Sequence, residues 1–381
     1  MKLCALTQSY APTGGGIRTM VHAQQDWFRA CGLEHVLIVP GAEDTITRDG
    51  CLTTYTIASP QVPGSNVYRL LLRSDKVLRI LRAEMPDVIE VHCTYNLPWT
   101  AFRHRRRHGG LVTGFYMTDL AVAYVEAPLR QRAGRRIAAL ARAGVERYIR
   151  ALYSRCDFTI AISPSMRDRL HAMGVGNALY LPLGVDTCTF TPDRRSAAVR
   201  ARLGASPTDL LLVYAGRLDT EKRPELLCDA LALLPASTNA RLVIAGDGPM
   251  RPRLEQRAAQ DERIRVLPFI QDRTELAAML ASADVYVSAM AFETFGLSVV
   301  EAQASGLPVV GVRAGAMIDR VRDGVDGFLV EPDSPHALAQ RIADTPPGQW
   351  PAMGQRARAR VESEFSWSRT FETLLTIYRP R

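Results

Sequence analysis

Residues 291–310 read AFETFGLSVVEAQASGLPVV and set two carboxylates, Glu293 and Glu301, eight residues apart around a Phe-Gly-Leu step that opens a helix. Eight residues is a little over two helical turns, so Glu301 returns to the side of the helix mouth, where Glu293 stands just before the first turn. Between them the backbone N–H groups of Phe295, Gly296 and Leu297 lack intrahelical acceptors, and the positive end of the helix dipole favours an anion there. The arrangement suits a sugar held by one carboxylate, a ribose held by the other and a diphosphate between them. Taken alone it also suits an ordinary amphipathic helix capped by Glu, so the neighbouring segments decide.

Upstream, residues 214–222 read YAGRLDTEK and end an apolar run, Leu210–Ala215, that has the pattern of a buried parallel strand. The segment delivers Gly216, Arg217 and Lys222 to that strand's carboxyl end, the edge where open α/β sheets bind ligands. Two cations there neutralise charge on a departing diphosphate without a metal; surface ion pairs with Asp219 and Glu221 are the plainer use of the same residues. Residues 242–249, LVIAGDGP, form another strand running into a Gly-rich turn at Gly246, followed by a helix over 250–259. A strand over 264–269, a helix over 272–281 and a strand over 284–288 then lead into the 291–310 segment. Strands alternating with helices at this pitch predict a parallel, doubly wound sheet.

The amino-terminal half repeats the pattern. A strand over 2–7 runs into Pro12-Thr13-Gly14-Gly15-Gly16-Ile17, after which 19–31 has helical periodicity. Three glycines between strand and helix let the backbone approach a ligand and present N–H groups to a phosphate or sugar; a flexible loop without a ligand is the other reading. Short apolar stretches at 36–40, 88–92, 110–115, 158–162 and 178–181 predict further strands. The basic excess also lies here: 23 Lys and Arg against 14 Asp and Glu through Val185, then 24 against 25 beyond it. It concentrates in 103–107 (RHRRR) and 130–155, where arginines alternate with apolar residues at helical spacing. That pattern fits either a helix on an anionic membrane surface or a solvated helix packed on its sheet. Nucleic-acid binding is disfavoured, because no aromatics interleave with the charge.

The 291–310 segment, with its E-x7-E spacing and Gly-Leu-Pro-Val-Val strand, resembles the retaining, nucleotide-sugar-dependent glycosyltransferases of family 4. The resemblance implies a GT-B fold, two Rossmann-like α/β domains facing a cleft, with residues 1–185 and a return helix over 365–381 in the acceptor domain and 186–364 in the nucleotide-sugar domain. It implies that Arg217 and Lys222 stabilise the leaving diphosphate, that Glu293 positions the donor sugar and Glu301 the ribose, and that Phe269 and Ile270 hold the base. The glycines Gly14, Gly15 and Gly16 lie by the phosphates and acceptor, and the hinge covers 181–192 with Asp186 and Phe190. The resemblance further implies a UDP- or GDP-linked sugar as donor, no metal or other cofactor, and a hydroxyl acceptor, of a lipid or glycan.

One segment departs from that pattern. In residues 114–120, GFYMTDL, Met117 stands where many members carry a His that contacts the donor sugar, and a thioether neither titrates nor donates a hydrogen bond. Front-face transfer, in which the leaving diphosphate takes the acceptor proton, tolerates the loss; a catalytically silent nucleotide-sugar binder or partner subunit is the competing reading. Beside Met117, Asp119 reads as a sugar-side residue or as the cap of a helix starting near Leu120, and His92, at a strand's carboxyl end, as a cleft residue or a satisfied structural histidine.

Length and composition agree with two soluble domains: 381 residues exceed the roughly 250–300 that one core fills, with 47% hydrophobic and 23% charged residues. No segment reaches the roughly 18 apolar residues of a membrane span, and the start is too polar for a signal peptide, so a cytoplasmic protein, peripheral on the inner membrane face at most, is expected. Seven cysteines without paired spacing argue for reduced thiols and against zinc.

Overall fold

The computed structural model describes residues 1–8, 10, 15–62 and 68–379. The chain divides into two compact units, Met1–Leu183 with Trp367–Arg381, and Gly184–Ser366. Both are α/β; the first sheet is parallel except at one edge strand, and the second is parallel throughout.

The first unit carries eight strands, β1 (Lys2–Leu6), β2 (Glu34–Gly41), β3 (Thr45–Asp49), β4 (Leu52–Ala58), β5 (Val88–Val91), β6 (Leu111–Tyr116), β7 (Phe158–Ala161) and β8 (Ala178–Tyr180), in the order β3-β4-β2-β1-β5-β6-β7-β8. Strand order reverses between β1 and β5, whose register pairs Leu6 with Val91. At such a switch point the connections leave in opposite directions and open a crevice at the carboxyl ends. Only β3 runs antiparallel, folded back on β4 through a turn at Gly50, which holds a positive φ of 59°. This hairpin, TITRDGCLTTYTIA, is rich in Thr and has no apolar run, which is why sequence periodicity passes over it. The core is a continuous cluster that includes Cys4, Leu6, Ile38, Ile89, Val91 and Val112.

The last helix, Trp367–Tyr378, belongs to this unit. It packs Phe371 against Trp27, ring centroids 5.8 Å apart, and its Tyr378 hydroxyl donates 2.8 Å to Glu90 Oε1 on β5. Glu90 is fully buried, and Gln24 Nε2 donates to both of its oxygens at 3.1 and 3.0 Å. A buried carboxylate needs such donors, so Tyr378 ties the chain's end to the centre of the first sheet.

The second unit has six parallel strands, β9 (Leu210–Ala215), β10 (Ala240–Ala245), β11 (Ile264–Leu267), β12 (Val285–Val287), β13 (Val309–Val312) and β14 (Gly327–Val330), ordered β11-β10-β9-β12-β13-β14. Its switch point lies between β9 and β12. Strand β14, not foreseen from sequence, is a four-residue apolar run too short to tell from a buried loop. The 130–155 stretch differs from its expected single helix. It is two helices, Ala127–Ala133 and Arg135–Tyr153, because Gly134 takes a φ of 83° that no helix interior allows. Among the described residues no helix is long and apolar enough to cross a membrane.

Candidate active site

The switch point of the second unit gathers the residues that sequence singled out. Strand β9 ends at Ala215 and hands the chain to Gly216, Arg217 and, after a turn, Lys222; β12 ends at Val287 and leads to Met290 and Glu293. The turn after β9 is held by the turn after β10, where Leu218 N–H donates to Asp247 O and Met250 N–H to Leu218 O, each at 2.8 Å. Backbone lies on backbone here. A Cβ on Gly246 would stand 1.9 Å from Gly216 O, and one on Gly248 2.5 Å from Leu218 O, so the glycines of this turn serve close approach.

Lys222 and Glu293 meet across the switch point, Nζ to Oε2, at 3.2 Å. The other carboxylate oxygen, Oε1, accepts from Thr294 N–H and Gly296 N–H, both at 3.1 Å. Glu293 is thus oriented by its own following turn and charge-balanced by Lys222, with 13% of its side chain exposed. Burial pushes its carboxyl up, but the Lys222 charge and hydrogen bond and the two N–H donors more than reverse this, leaving it below the ordinary carboxylate range. Arg217 is 48% exposed and is held by Asp219 at 2.8 Å and Glu221 at 2.6 Å. These pairs exist as the plainer reading foresaw, and they aim the guanidinium without burying it.

Helix Leu297–Ala304 opens on Gly296, whose φ of 81° is left-handed. Of the three donors expected at its mouth, Gly296 N–H is occupied by Glu293, whereas no partner is seen for Phe295 N–H and Leu297 N–H among the described residues. Phe295 itself is buried and packs edge-on against Phe365 at 6.1 Å. Glu301, two turns on, is buried and paired with Arg273 Nη2 at 2.6 Å. Its carboxyl lies above the ordinary range because burial outweighs Arg273. Arg273, which sequence reasoning missed, opens the helix Arg273–Ala281 directly after the capping Asp272, whose Oδ1 accepts from Thr274 N–H at 2.7 Å. Its guanidinium lies over Phe190 at 4.6 Å, while Asp186 of the same 181–192 segment accepts from Cys188 N–H and Thr189 N–H at 3.0 and 3.1 Å. Phe269 and Ile270 lie in the loop between β11 and that helix, with Phe269 42% exposed and available for stacking.

In the first unit, Gly15 and Gly16 begin the helix Gly16–Ala30 after β1, with Gly15 at a φ of 114°; Gly14 lies outside the described residues. His92 follows β5 directly, so both features sit at this unit's switch point. His92 is buried edge-on against Phe115, centroids 4.6 Å apart, with Nε2 3.4 Å from Glu90 Oε2, and neither ring nitrogen makes a hydrogen bond among the described residues. Met117 follows β6 and is buried. Asp119 is fully engaged: Oδ1 accepts from the Tyr116 hydroxyl at 3.2 Å and caps Val122 N–H at 3.3 Å, and Oδ2 pairs with Arg169 Nε at 2.6 Å. The capping reading of Asp119 therefore has direct geometry. The seven cysteines are free, and among the described residues no three His, Cys, Asp or Glu side chains gather as a metal site.

A doubly wound unit with cations, one nearly buried and one buried carboxylate and open helix-mouth donors at its switch point suits a nucleotide-sugar enzyme with the GT-B fold. The chain belongs to the family 4 glycosyltransferases and is a glycosyltransferase. Glycosyltransferase Family 4 matches residues 14–188, and Glycosyl transferases group 1 matches residues 196–346. The chain is 34% identical, over 98% of its own length and 95% of the relative's, to a GDP-mannose-dependent alpha-(1-6)-phosphatidylinositol dimannoside mannosyltransferase of Mycobacterium tuberculosis. It is 30% identical, over 87% of its length and 77% of the relative's, to a GDP-mannose-dependent alpha-mannosyltransferase of Corynebacterium glutamicum. Among solved structures, sucrose-phosphate synthase from Thermosynechococcus elongatus superposes with a TM-score of 0.80 at 22% identity, covering 100% of this chain and 98% of that one, a likeness of fold alone.

Proposed function

We propose that this enzyme transfers mannose from GDP-mannose, with retention and without a metal, to a hydroxyl of a phosphatidylinositol-type glycolipid at an anionic membrane surface. The Lys222–Glu293 pair carries the reading. It sets a cation and an ionised, doubly hydrogen-bonded carboxylate side by side at the mouth of a helix, with Arg217 in the same turn after β9 as Lys222. Lys222, Arg217 and the helix-mouth N–H groups take up the charge that develops on departing GDP, the largest electrostatic demand of the step. Glu293 accepts from sugar hydroxyls, Glu301 from the ribose, and Phe269 with Ile270 flanks the base; the first unit takes the acceptor, with His92, Met117, Asp119 and the glycines Gly14, Gly15 and Gly16 in its vicinity. The named substrates of the two mannosyltransferase relatives support GDP-mannose as donor, and the first relative supports the lipid.

Two features of the first unit support the membrane. Helix Arg135–Tyr153 exposes Ile137, Leu140 and Tyr148 on one face, Leu140 to 75%, with Arg135, Arg136 and Arg147 exposed beside them. Arg103, Arg106 and Arg107 are exposed on the neighbouring stretch, whereas Arg105 and Arg142 are spent on Asp157 and on Glu126 and Glu146. The test is release of nucleoside diphosphate from a panel of nucleotide sugars, with and without vesicles containing phosphatidylinositol mannosides. GDP-mannose should turn over fastest, with chelator having no effect and Arg217→Ala lowering turnover roughly 10²-fold. Consumption of a uridine-linked sugar in preference, or abolition by chelator, refutes the reading.

A further inference from the structure

Among the described residues, Arg320 is the largest fully buried side chain. It closes the short helix Met317–Arg320, and its guanidinium lies over the Phe295 ring at 4.2 Å and the Phe365 ring at 4.9 Å. Burying a cation is costly, so such a residue is kept where its hydrogen bonds fix something. Its Nε donates 2.7 Å to Phe295 O. That carbonyl shares a peptide plane with Gly296 N–H, the group that donates 3.1 Å to Glu293 Oε1. One rigid peptide is thus held at both ends, by Arg320 at its oxygen and by Glu293 at its hydrogen. The positive charge on the oxygen side polarises the peptide so that its N–H is the better donor to the carboxylate.

The base from which Arg320 reaches is itself anchored. Gln303 Nε2, on the helix that carries Glu301, donates 2.9 Å to Arg320 O, and Arg360 Nη1 donates 3.1 Å to the same atom. A few residues earlier, Ala316 N–H donates 2.7 Å to Glu293 O, and Gly315 approaches so closely that a Cβ there would stand 2.6 Å from that oxygen. The segment 315–320 therefore grips 293–296 at two carbonyls, Glu293 O and Phe295 O. With Oε1 fixed by Gly296 and Thr294, Oε2 is left at 3.2 Å from Lys222.

We infer that Arg320 is a positioning residue for the transfer reaction, fixing the Phe295–Gly296 peptide so that Glu293 stands correctly oriented toward Lys222 and the donor sugar. Nothing about Arg320 touches substrate; it acts through Glu293, and the inference rests on the proposed role of that carboxylate. Sequence alone offers no sign of this, because Arg320 lies 19 residues beyond Glu301 and in no spacing pattern with it.

A double-mutant cycle on the full-length enzyme tests it, with GDP release from GDP-mannose as the readout. Arg320→Met keeps an unbranched apolar chain against the two rings and removes the donor and its charge. It should lower kcat at saturating donor by about ten-fold or more, as a misplaced catalytic group does, while Arg320→Lys, which keeps the cation, recovers part of the loss. In the Glu293→Ala background, Arg320→Met should cost less than two- to three-fold, because the group it positions is gone. Equal losses in both backgrounds, or loss only in proportion to the unfolded fraction seen in the melting curve, would make Arg320 a packing residue and overturn the inference. Wild-type turnover of Glu293→Ala itself would instead overturn the proposed site. Should Arg320→Met not fold, the cycle is run with Arg320→Lys, whose loss must likewise shrink in the Glu293→Ala background.

Discussion

Replacing Lys222 with Ala separates the two jobs that the Lys222–Glu293 pair performs. In the proposed reaction the ammonium is one preorganised charge at the leaving diphosphate, and removal of one such group lowers kcat by roughly 10²–10³. In stability the cost is smaller than the ~3–5 kcal/mol of breaking a fully buried ion pair. Glu293 keeps its hydrogen bonds from Thr294 and Gly296, and the Lys222 and Glu293 side chains are 18% and 13% exposed. About 1–3 kcal/mol is the consistent figure, which moves melting of a unit this size by roughly 2–4 °C per kcal/mol. The pH dependence carries a sign. The folded carboxyl of Glu293 lies below its ordinary value, so its stabilising contribution is present above an unfolded pKa of about 4.3 and is lost as pH falls through the lower folded value. Without Lys222, burial loses its main opponent and the carboxyl titrates higher. The melting gap between wild type and Lys222→Ala should therefore be widest near neutrality and should close below about pH 4. Calorimetry from pH 7 to 3.5, with GDP-release kinetics at saturating donor, measures both. A gap constant across that range, or turnover within two-fold of wild type, would refute the assignment of this pair.

Arg273→Ala acts on the other carboxylate with the opposite sign: Glu301 is already above its ordinary range through burial, and loss of its cation raises it further, so the variant should melt higher as pH is lowered from 7 to 5 and should bind GDP more weakly by calorimetry. A group raised in this way destabilises the fold while ionised, and a variant that melts lower on acidification contradicts the burial argument. On the first unit, Leu140→Asp should reduce co-sedimentation with anionic vesicles while leaving GDP release from GDP-mannose without acceptor unchanged, and wild-type binding should fall with salt. Equal binding of wild type to neutral vesicles removes the membrane reading. For Met117→His, a regained donor beside the sugar should raise the preference for GDP-mannose over a 6-deoxyhexose donor by about ten-fold, the worth of one hydroxyl no longer left unpaired; an unchanged ratio makes Met117 a packing residue.

The fold was legible because parallel strands buried on both faces read as short apolar runs, and most of those predicted here are strands within a residue or two of their expected ends. Thr-rich β3 and β4 escaped because β3 is an exposed edge strand and β4 alternates its buried apolar residues with Thr, so neither has such a run. At the candidate site, the placement of Arg217, Lys222, Glu293 and Glu301 was legible from their spacing beside strand ends, which the topology gathers at one switch point. Their partners were not. Arg273 reaches Glu301 from 28 residues away, and Arg320 reaches Phe295 across 25, through contacts made only when separate segments fold together. The expected basic helix over 130–155 failed at one position, since a glycine in a helical pattern does not announce whether it will take positive φ.

Glu293 and Glu301 share one short motif yet face opposite electrostatic conditions, and this difference supports the division of work proposed for them. Glu293 has a lysine and two backbone donors, enough to keep a nearly buried carboxylate ionised and immobile. Such a group offers a fixed negative charge to a sugar ring that becomes positive as its bond to the diphosphate breaks. Glu301 has one arginine, itself 44% exposed and stacked on Phe190, and its carboxyl is pushed up by burial. A carboxylate so placed gains from a neutral hydroxyl donor that completes its hydrogen bonding, and a ribose supplies two. Environments that push two like groups apart in pKa separate their roles. Arg273→Ala with intact Glu301 should therefore impair nucleotide binding before catalysis, and Lys222→Ala with intact Glu293 should impair catalysis before binding.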